Sequence, residues 1–188
     1  MLFRSYTAVM AHAVGREGRV LGIEVDDALA AMAAANLVSM PWATVRHGDG
    51  SGALDGTFDV VLVNAGVTQP ESTWLRALAP GGRMNLSMTV ALDLPGGEHP
   101  AGAAMANIGK GFMLMLERGE SAESFPVRLV NVVAIYSAVG LRRDDDNAAL
   151  SAAMKKMPFP PLQRYRLDPH EEAATCWCHT PRGCWSLG

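Results

Sequence analysis

Residues 18–84 hold four stretches that read as the middle of an α/β sheet, and three of the four place an acidic or small residue where an apolar run ends. The runs are Gly-Arg-Val-Leu-Gly-Ile-Glu-Val-Asp (18–26), Val-Arg-His-Gly-Asp-Gly-Ser (45–51), Phe-Asp-Val-Val-Leu-Val-Asn-Ala-Gly-Val-Thr (58–68) and Leu-Ala-Pro-Gly-Gly-Arg-Met (78–84). Brief apolar runs with β-branched residues and little alternation are what strands buried on both faces require. Separated by helices and short turns, such runs form parallel α/β sheets, which hold ligands at the carboxyl ends of their strands.

The elements follow from local signals. Ala and Val at helical spacing predict a helix over 5–14, ended by Gly15 and Gly18. Residues 20–25 read as a strand, and Asp26 or Asp27 caps an Ala-rich helix over 28–38, with Pro41 beyond it. Strands are expected at 43–47 and 58–64, the latter with the unbroken run Val60 to Val63. A helix over 71–78 starts beside Pro70, and a strand over 83–89 follows Pro80-Gly81-Gly82. This predicts a parallel, doubly wound, Rossmann-like α/β sheet with helices on both faces. Past Val90 the order changes. A loop over 94–102 precedes strand-like runs at 111–117 and 127–137, whose connector is too short for a crossover helix, so they should form an antiparallel hairpin at one sheet edge. A last helix, capped by Asp144, Asp145 or Asp146, should run through Met157 until Pro158-Phe-Pro-Pro stops it. One domain over 1–160 and a C-terminal tail over 161–188 are expected.

With 188 residues the chain suits one domain. Its 49% hydrophobic and 19% charged composition excludes a disordered chain, and a net charge of -3 offers no footprint for nucleic acid or an anionic membrane. Residues 1–15 faintly resemble a signal peptide, but Tyr6, Thr7 and His12 interrupt the apolar stretch, and an amphipathic helix is the better reading. No apolar run reaches the ~18 residues of a membrane helix, so a cytoplasmic protein is expected. Cys176, Cys178 and Cys184 are an odd set in one short stretch. With His170 and His179 they could be zinc ligands, since thiolate and imidazole are the usual donors. The Cys-x-Cys spacing is tighter than that of most structural sites and no second pair completes it, so ordinary thiols and no metal are expected.

Glu24 ends the first apolar run, where a carboxylate can accept hydrogen bonds from both hydroxyls of a ribose; the plain alternative is a solvated neighbour of a helix cap. Asp49, between Gly48 and Gly50, could accept from an exocyclic adenine amine while the glycines permit close approach, though Gly-Asp-Gly is also a common turn. Asn64-Ala65-Gly66-Val67-Thr68 leaves room for the reacting end of a ligand, or Asn64 satisfies loop backbone. His47 stands alone without a catalytic partner and reads as structural.

Taken together, Tyr6-Thr7-Ala8-Val9-Met10-Ala11, Val14-Gly15, Gly18-Arg19-Val20, Gly22-Ile23-Glu24, Asn36-Leu37, Gly48-Asp49-Gly50, Phe58-Asp59 and Ala79-Pro80-Gly81-Gly82-Arg83 resemble the S-adenosylmethionine-dependent methyltransferases of the protein-L-isoaspartate (D-aspartate) O-methyltransferase family. The similarity covers about residues 5–90, and more loosely the stretch with Cys176, Trp177, His179 and Cys184. It implies S-adenosyl-L-methionine as cofactor and a peptide or protein methyl acceptor. It further implies a cofactor site of Tyr6, Thr7, Glu24, Val25, Gly48, Asp49, Gly50, Asn64, Ala65 and Gly66, with Val67 and Thr68 toward the substrate. Catalytic residues stay unassigned, in keeping with enzymes that work mostly by alignment. The family opens its sheet with an apolar strand and a Gly-x-Gly-x-Gly loop, whereas here Met1-Leu2-Phe3-Arg4 stands where that loop should be ending. The expectation is therefore an N-terminally truncated methyltransferase, without a strand between those at 20–25 and 58–64, binding its cofactor poorly when alone. Two alternatives are a degenerate fold kept as a binding module and a short-chain dehydrogenase. The second is suggested by Asn64-Ala65-Gly66 and opposed by the absence of Tyr-x3-Lys.

Overall fold

The computed structural model describes residues 3–91, 108–156 and 161–188. It divides into two compact units, residues 1–52 and 53–188, each with its own core.

In the first unit, α1 (Phe3–Val14) is followed by β1 (Val20–Glu24), α2 (Asp27–Asn36) and β2 (Ala43–His47). Asp26 caps α2 as expected, its Oδ1 accepting from the Leu29 N–H at 2.9 Å. β1 and β2 pair in parallel from Val20↔Ala43 to Glu24↔His47. The core is small: Ala11, Val20, Leu37 and Ala43 are buried, with Trp42 and Val45 packed against them. Gly22 faces α1, where a Cβ would make ordinary contact with the Thr7 hydroxyl at 3.4 Å.

The second unit holds β3 (Phe58–Val67), α3 (Ser72–Arg76), β4 (Leu78–Ala91), β5 (Ile108–Glu117), β6 (Ser124–Tyr136), α4 (Asp144–Met154), β7 (Arg164–Arg166), β8 (Cys176–Thr180) and β9 (Gly183–Ser186). Its seven strands lie in the order β3-β4-β5-β6-β7-β9-β8. β3 and β4 are parallel, joined through α3, and every other named pair in this sheet is antiparallel. The hairpin expected from 111–117 and 127–137 is β5–β6, with the predicted antiparallel pairing. It does not form the sheet edge, because residues beyond 161 add three further strands next to it.

Those residues, expected as a tail, supply much of the core. Tyr165 and Trp185 are fully buried with ring centroids 4.5 Å apart, and Phe125 and Trp177 join them. The one-face alternation of Arg-Tyr-Arg and the two residues Pro181-Arg182 between paired Thr180 and Gly183 explain the strands and their turn.

Three further expectations are corrected. A single parallel sheet is observed as two sheets, with β1 and β3 each an edge strand among the described residues. Val60 to Val63, expected to be buried on both faces, is only partly so: Val60 is 50% exposed, because β3 has a full partner strand on one side only. None of the three aspartates caps α4; Arg143 occupies that position without a side-chain bond, while Asp144, Asp145 and Asp146 fill the first turn, where the helix dipole favours negative charge. The expected loop over 94–102 and the helix end at Met157 and Pro158 lie outside the described residues.

Candidate functional site

The parallel pair β1–β2 brings Glu24 and the Gly48-Asp49-Gly50 turn to the same strand ends. Glu24 pairs with His47, and the Gly48 N–H donates to the Glu24 carbonyl at 2.9 Å. Gly48 has φ +154°, a conformation open to glycine, and Gly50 lies against Ile23 of β1. The loop after β2 therefore folds across the end of β1.

Both carboxylates also serve local structure. Glu24 Oε1 accepts from the Asp26 N–H at 3.0 Å, tying the strand end to the cap of α2. Oε2 has no partner among the described residues. Asp49 Oδ1 accepts from the Ser51 N–H at 2.8 Å and Oδ2 from the Ser51 hydroxyl at 2.7 Å. These two bonds, the backbone one foremost, hold its carboxyl below the usual aspartate range. His47 is structural in its contacts, with Nε2 3.2 Å from the Val25 carbonyl and Nδ1 3.6 Å from Asp27. Val25 itself is exposed, as is Tyr6 on α1, while Thr7 is half-buried against Gly22.

The other expected residues belong to the second unit. Asn64 and Ala65 are half-buried at the end of β3, and Gly66 is packed shut: a Cβ there would lie 2.4 Å from the Thr89 hydroxyl. Gly66 also accepts from the Ala138 N–H at 2.9 Å. Val67 belongs to the core, and Thr68 is fully buried with its hydroxyl unpartnered among the described residues. Arg142, which sequence reasoning did not single out, organises this region. It donates to the Ser137 hydroxyl at 2.8 Å, to the Thr89 carbonyl at 2.9 Å and to the Thr89 hydroxyl at 2.6 Å. A cavity of about 440 Å³ lies elsewhere in this unit, between Val90, Lys110, Phe112, Val132 and Ser151, and includes none of the expected residues. Its lining is mostly apolar and carries no paired acid and base, so the strand-end carboxylates remain the better candidate site.

The C-terminal thiols do not lie as the spacing suggested. Cys178 turns into the core, where desolvation pushes its thiol up to about 12, while Cys176 and Cys184 face His170 and His179.

Residues 5–91 match the family model of protein-L-isoaspartate(D-aspartate) O-methyltransferase. A solved protein-L-isoaspartate O-methyltransferase is similar at 20% identity and a TM-score of 0.55, over 87% of this chain and 47% of that one. This chain thus spans about half the length of that protein. A solved Plasmodium falciparum protein described as a putative protein-L-isoaspartate O-methyltransferase, in complex with S-adenosyl-L-homocysteine, is similar at 12% identity and a TM-score of 0.45, over 70% of this chain and 57% of that one. No curated protein sequence matches the chain. The parallel β1–β2 pair, the parallel β3–β4 crossover and the first of these structures agree on the α/β fold of class I methyltransferases, and residues 5–91, just under half of the chain, are similar to the protein-L-isoaspartate(D-aspartate) O-methyltransferase family.

Proposed function

We propose that the chain works as an S-adenosyl-L-methionine-dependent methyltransferase of the isoaspartyl type, acting on a carboxylate or comparable nucleophile of a peptide or protein. One observation carries this reading: Glu24 and Asp49 leave the carboxyl ends of adjacent parallel strands, joined by the bond from Gly48 to Glu24. Glu24 fits a ribose because Oε2 remains open while Oε1 is fixed by the Asp26 N–H. Asp49 is held ionised by Ser51 and retains lone pairs for an adenine amine. Tyr6, Thr7, Val25, Gly48 and Gly50 complete the cofactor side of this unit. Bound there, the cofactor supplies an electrophilic methyl group, and the protein's part is alignment of the acceptor with it.

Calorimetry of the 188-residue chain with S-adenosyl-L-methionine, wild type against Glu24→Gln, tests the site. A charge-assisted bond is worth about 1.5–3 kcal/mol, so the variant should bind roughly 10- to 100-fold more weakly. Equal affinity in the two proteins would remove Glu24 from the site. Transfer of labelled methyl to an isoaspartyl peptide, as a base-labile ester, tests the acceptor; label appearing only on other nucleophiles would redirect the assignment.

A further inference from the structure

We propose that His170, Cys176, His179 and Cys184 form a closed, tetrahedral Cys2His2 site for zinc that staples the C-terminal strands together.

The donor atoms of these four residues all lie within 4.8 Å of one another. The geometry arises from one irregularity. Between Cys176, which pairs with Ser186, and Cys178, which pairs with Trp185, β8 contains an extra residue relative to β9. This bulge at Trp177 reverses the side-chain alternation, so Cys176 and His179 share a face and Cys178 turns to the core. Cys184 is the direct cross-strand partner of His179, and His170 reaches in from the loop ahead of β8.

The distances suit a metal. With ordinary zinc bonds of about 2.3 Å to sulfur and about 2.0–2.1 Å to nitrogen, a tetrahedron has a sulfur-to-nitrogen edge of roughly 3.5 Å. The Cys176 Sγ and His170 Nε2 are 3.5 Å apart. The widest separation needs a contraction of about 1 Å, within reach of small side-chain rotations.

The surroundings are those of a ligand set. His170 Nδ1 is 2.6 Å from the Asp168 carbonyl, which can only accept, so Nδ1 carries the proton and Nε2 presents its lone pair to the cluster. The Asp168 carboxylate lies 3.4 Å from the same nitrogen and is itself held by Arg166, whose Nε donates to it at 2.9 Å. The Ala173 N–H points at Cys176 Sγ at 3.5 Å, as backbone amides do around metal thiolates. His179 Nδ1 is buried without a hydrogen-bond partner among the described residues. A cavity of about 260 Å³, lined by both histidines, Asp168 and Thr180, gives a path inward. Four protein ligands leave no open position, so the role is structural.

The test uses the full 188-residue chain, purified without added chelator and analysed for metal by mass spectrometry, then stripped and titrated with Co(II). The expected results are about one zinc per chain and a tetrahedral Co(II) spectrum with sulfur-to-metal charge transfer. Cys184→Ser or His179→Ala should abolish the charge-transfer signature or reduce Co(II) affinity more than tenfold. Asp168→Ala, which removes an outer-shell carboxylate, should weaken affinity about 10- to 100-fold. Cys178→Ala should leave the spectrum unchanged, and the wild-type spectrum decides the matter even if ligand variants fail to fold. Substoichiometric metal with no tetrahedral Co(II) spectrum would overturn the proposal, as would a Cys176–Cys184 disulfide in the freshly isolated protein or an altered spectrum in Cys178→Ala.

Discussion

Asp49 owes its low pKa to a turn rather than to burial, and that can be separated experimentally. Both its oxygens are bonded by Ser51, one through the backbone and one through the hydroxyl. A carboxyl depressed in the folded state contributes stability above its unfolded pKa, and that contribution is lost as the pH falls through the folded value. NMR titration should therefore place Asp49 below 3.8, and Ser51→Ala should move it part of the way back, since only the hydroxyl bond is lost. No movement would assign the depression to another cause. Gly66 makes a steric prediction. A methyl there meets the Thr89 hydroxyl, which Arg142 holds at 2.6 Å, so Gly66→Ala should destabilise by about 1–3 kcal/mol in chemical denaturation. Combined with Thr89→Ala the two losses should be less than additive, because the clash has gone. At this scale the placement of Glu24 and Asp49 at strand ends was legible, since the runs at 20–25 and 43–47 read as strands. The Cys2His2 cluster was not. Unbulged alternation places Cys176 and Cys178 on one face, and the single extra residue that undoes this leaves no mark in composition or spacing.

Elements are held by a few side chains that bridge distant parts of the sequence. Trp42, ahead of β2, donates its indole N–H to the Ala11 carbonyl of α1 at 2.7 Å, and the Arg16 guanidinium stacks 5.6 Å above its ring. Ala11 also accepts from the Gly15 N–H, so its carbonyl stays satisfied without the indole. Trp42→Phe should accordingly cost only about 0.5–1.5 kcal/mol, measured by urea unfolding; a larger loss would mean that Trp42 packing rather than its hydrogen bond ties down α1. Arg182, in the turn between β8 and β9, is more heavily committed. It meets Glu71 at 2.7 Å and buried Asp146 at 3.0 Å, the latter a charge contact in which the N–H is not aligned as a hydrogen bond. Arg182→Met leaves buried Asp146 without this cation and Glu71 with only Arg143, 3.9 Å away, and should cost about 3–5 kcal/mol in chemical denaturation. A variant that unfolds like wild type would show the network to be dispensable. The strands at 164–186 were missed because each is short and their partners are distant in sequence; β7 pairs with β6 from Ser124 to Pro126. The parallel strands were found because each carries its own apolar run.

Two separate cores set what the molecule can do in pieces. Every residue of the larger cluster lies between Leu54 and Leu187, and every residue of the smaller one between Ala8 and Val45. The larger core contains Trp185, Tyr165, Phe125 and a row of fully buried Leu and Met side chains. At about 1.5–3 kcal/mol for each large side chain removed from water, this is the stabilising inventory of an ordinary domain. Among the described residues the smaller cluster buries Ala11, Val20, Leu37 and Ala43, two of them alanines. Below about 70–80 residues even a well-filled core rarely supplies more than ~3–5 kcal/mol, and this one is neither large nor well filled. Residues 53–188 produced alone should therefore show a cooperative thermal transition and retain tetrahedral Co(II) binding, since all four proposed ligands fall within that unit. Residues 1–52 alone should show little dispersed NMR signal and no sigmoidal melt. Cofactor affinity measured on the full chain would then report on a site whose Glu24 and Asp49 sit on the weaker unit, so conditions that loosen residues 1–52 should weaken binding while the Co(II) spectrum stays constant. Loss of both in parallel across a urea series would show instead that the chain unfolds as one cooperative block.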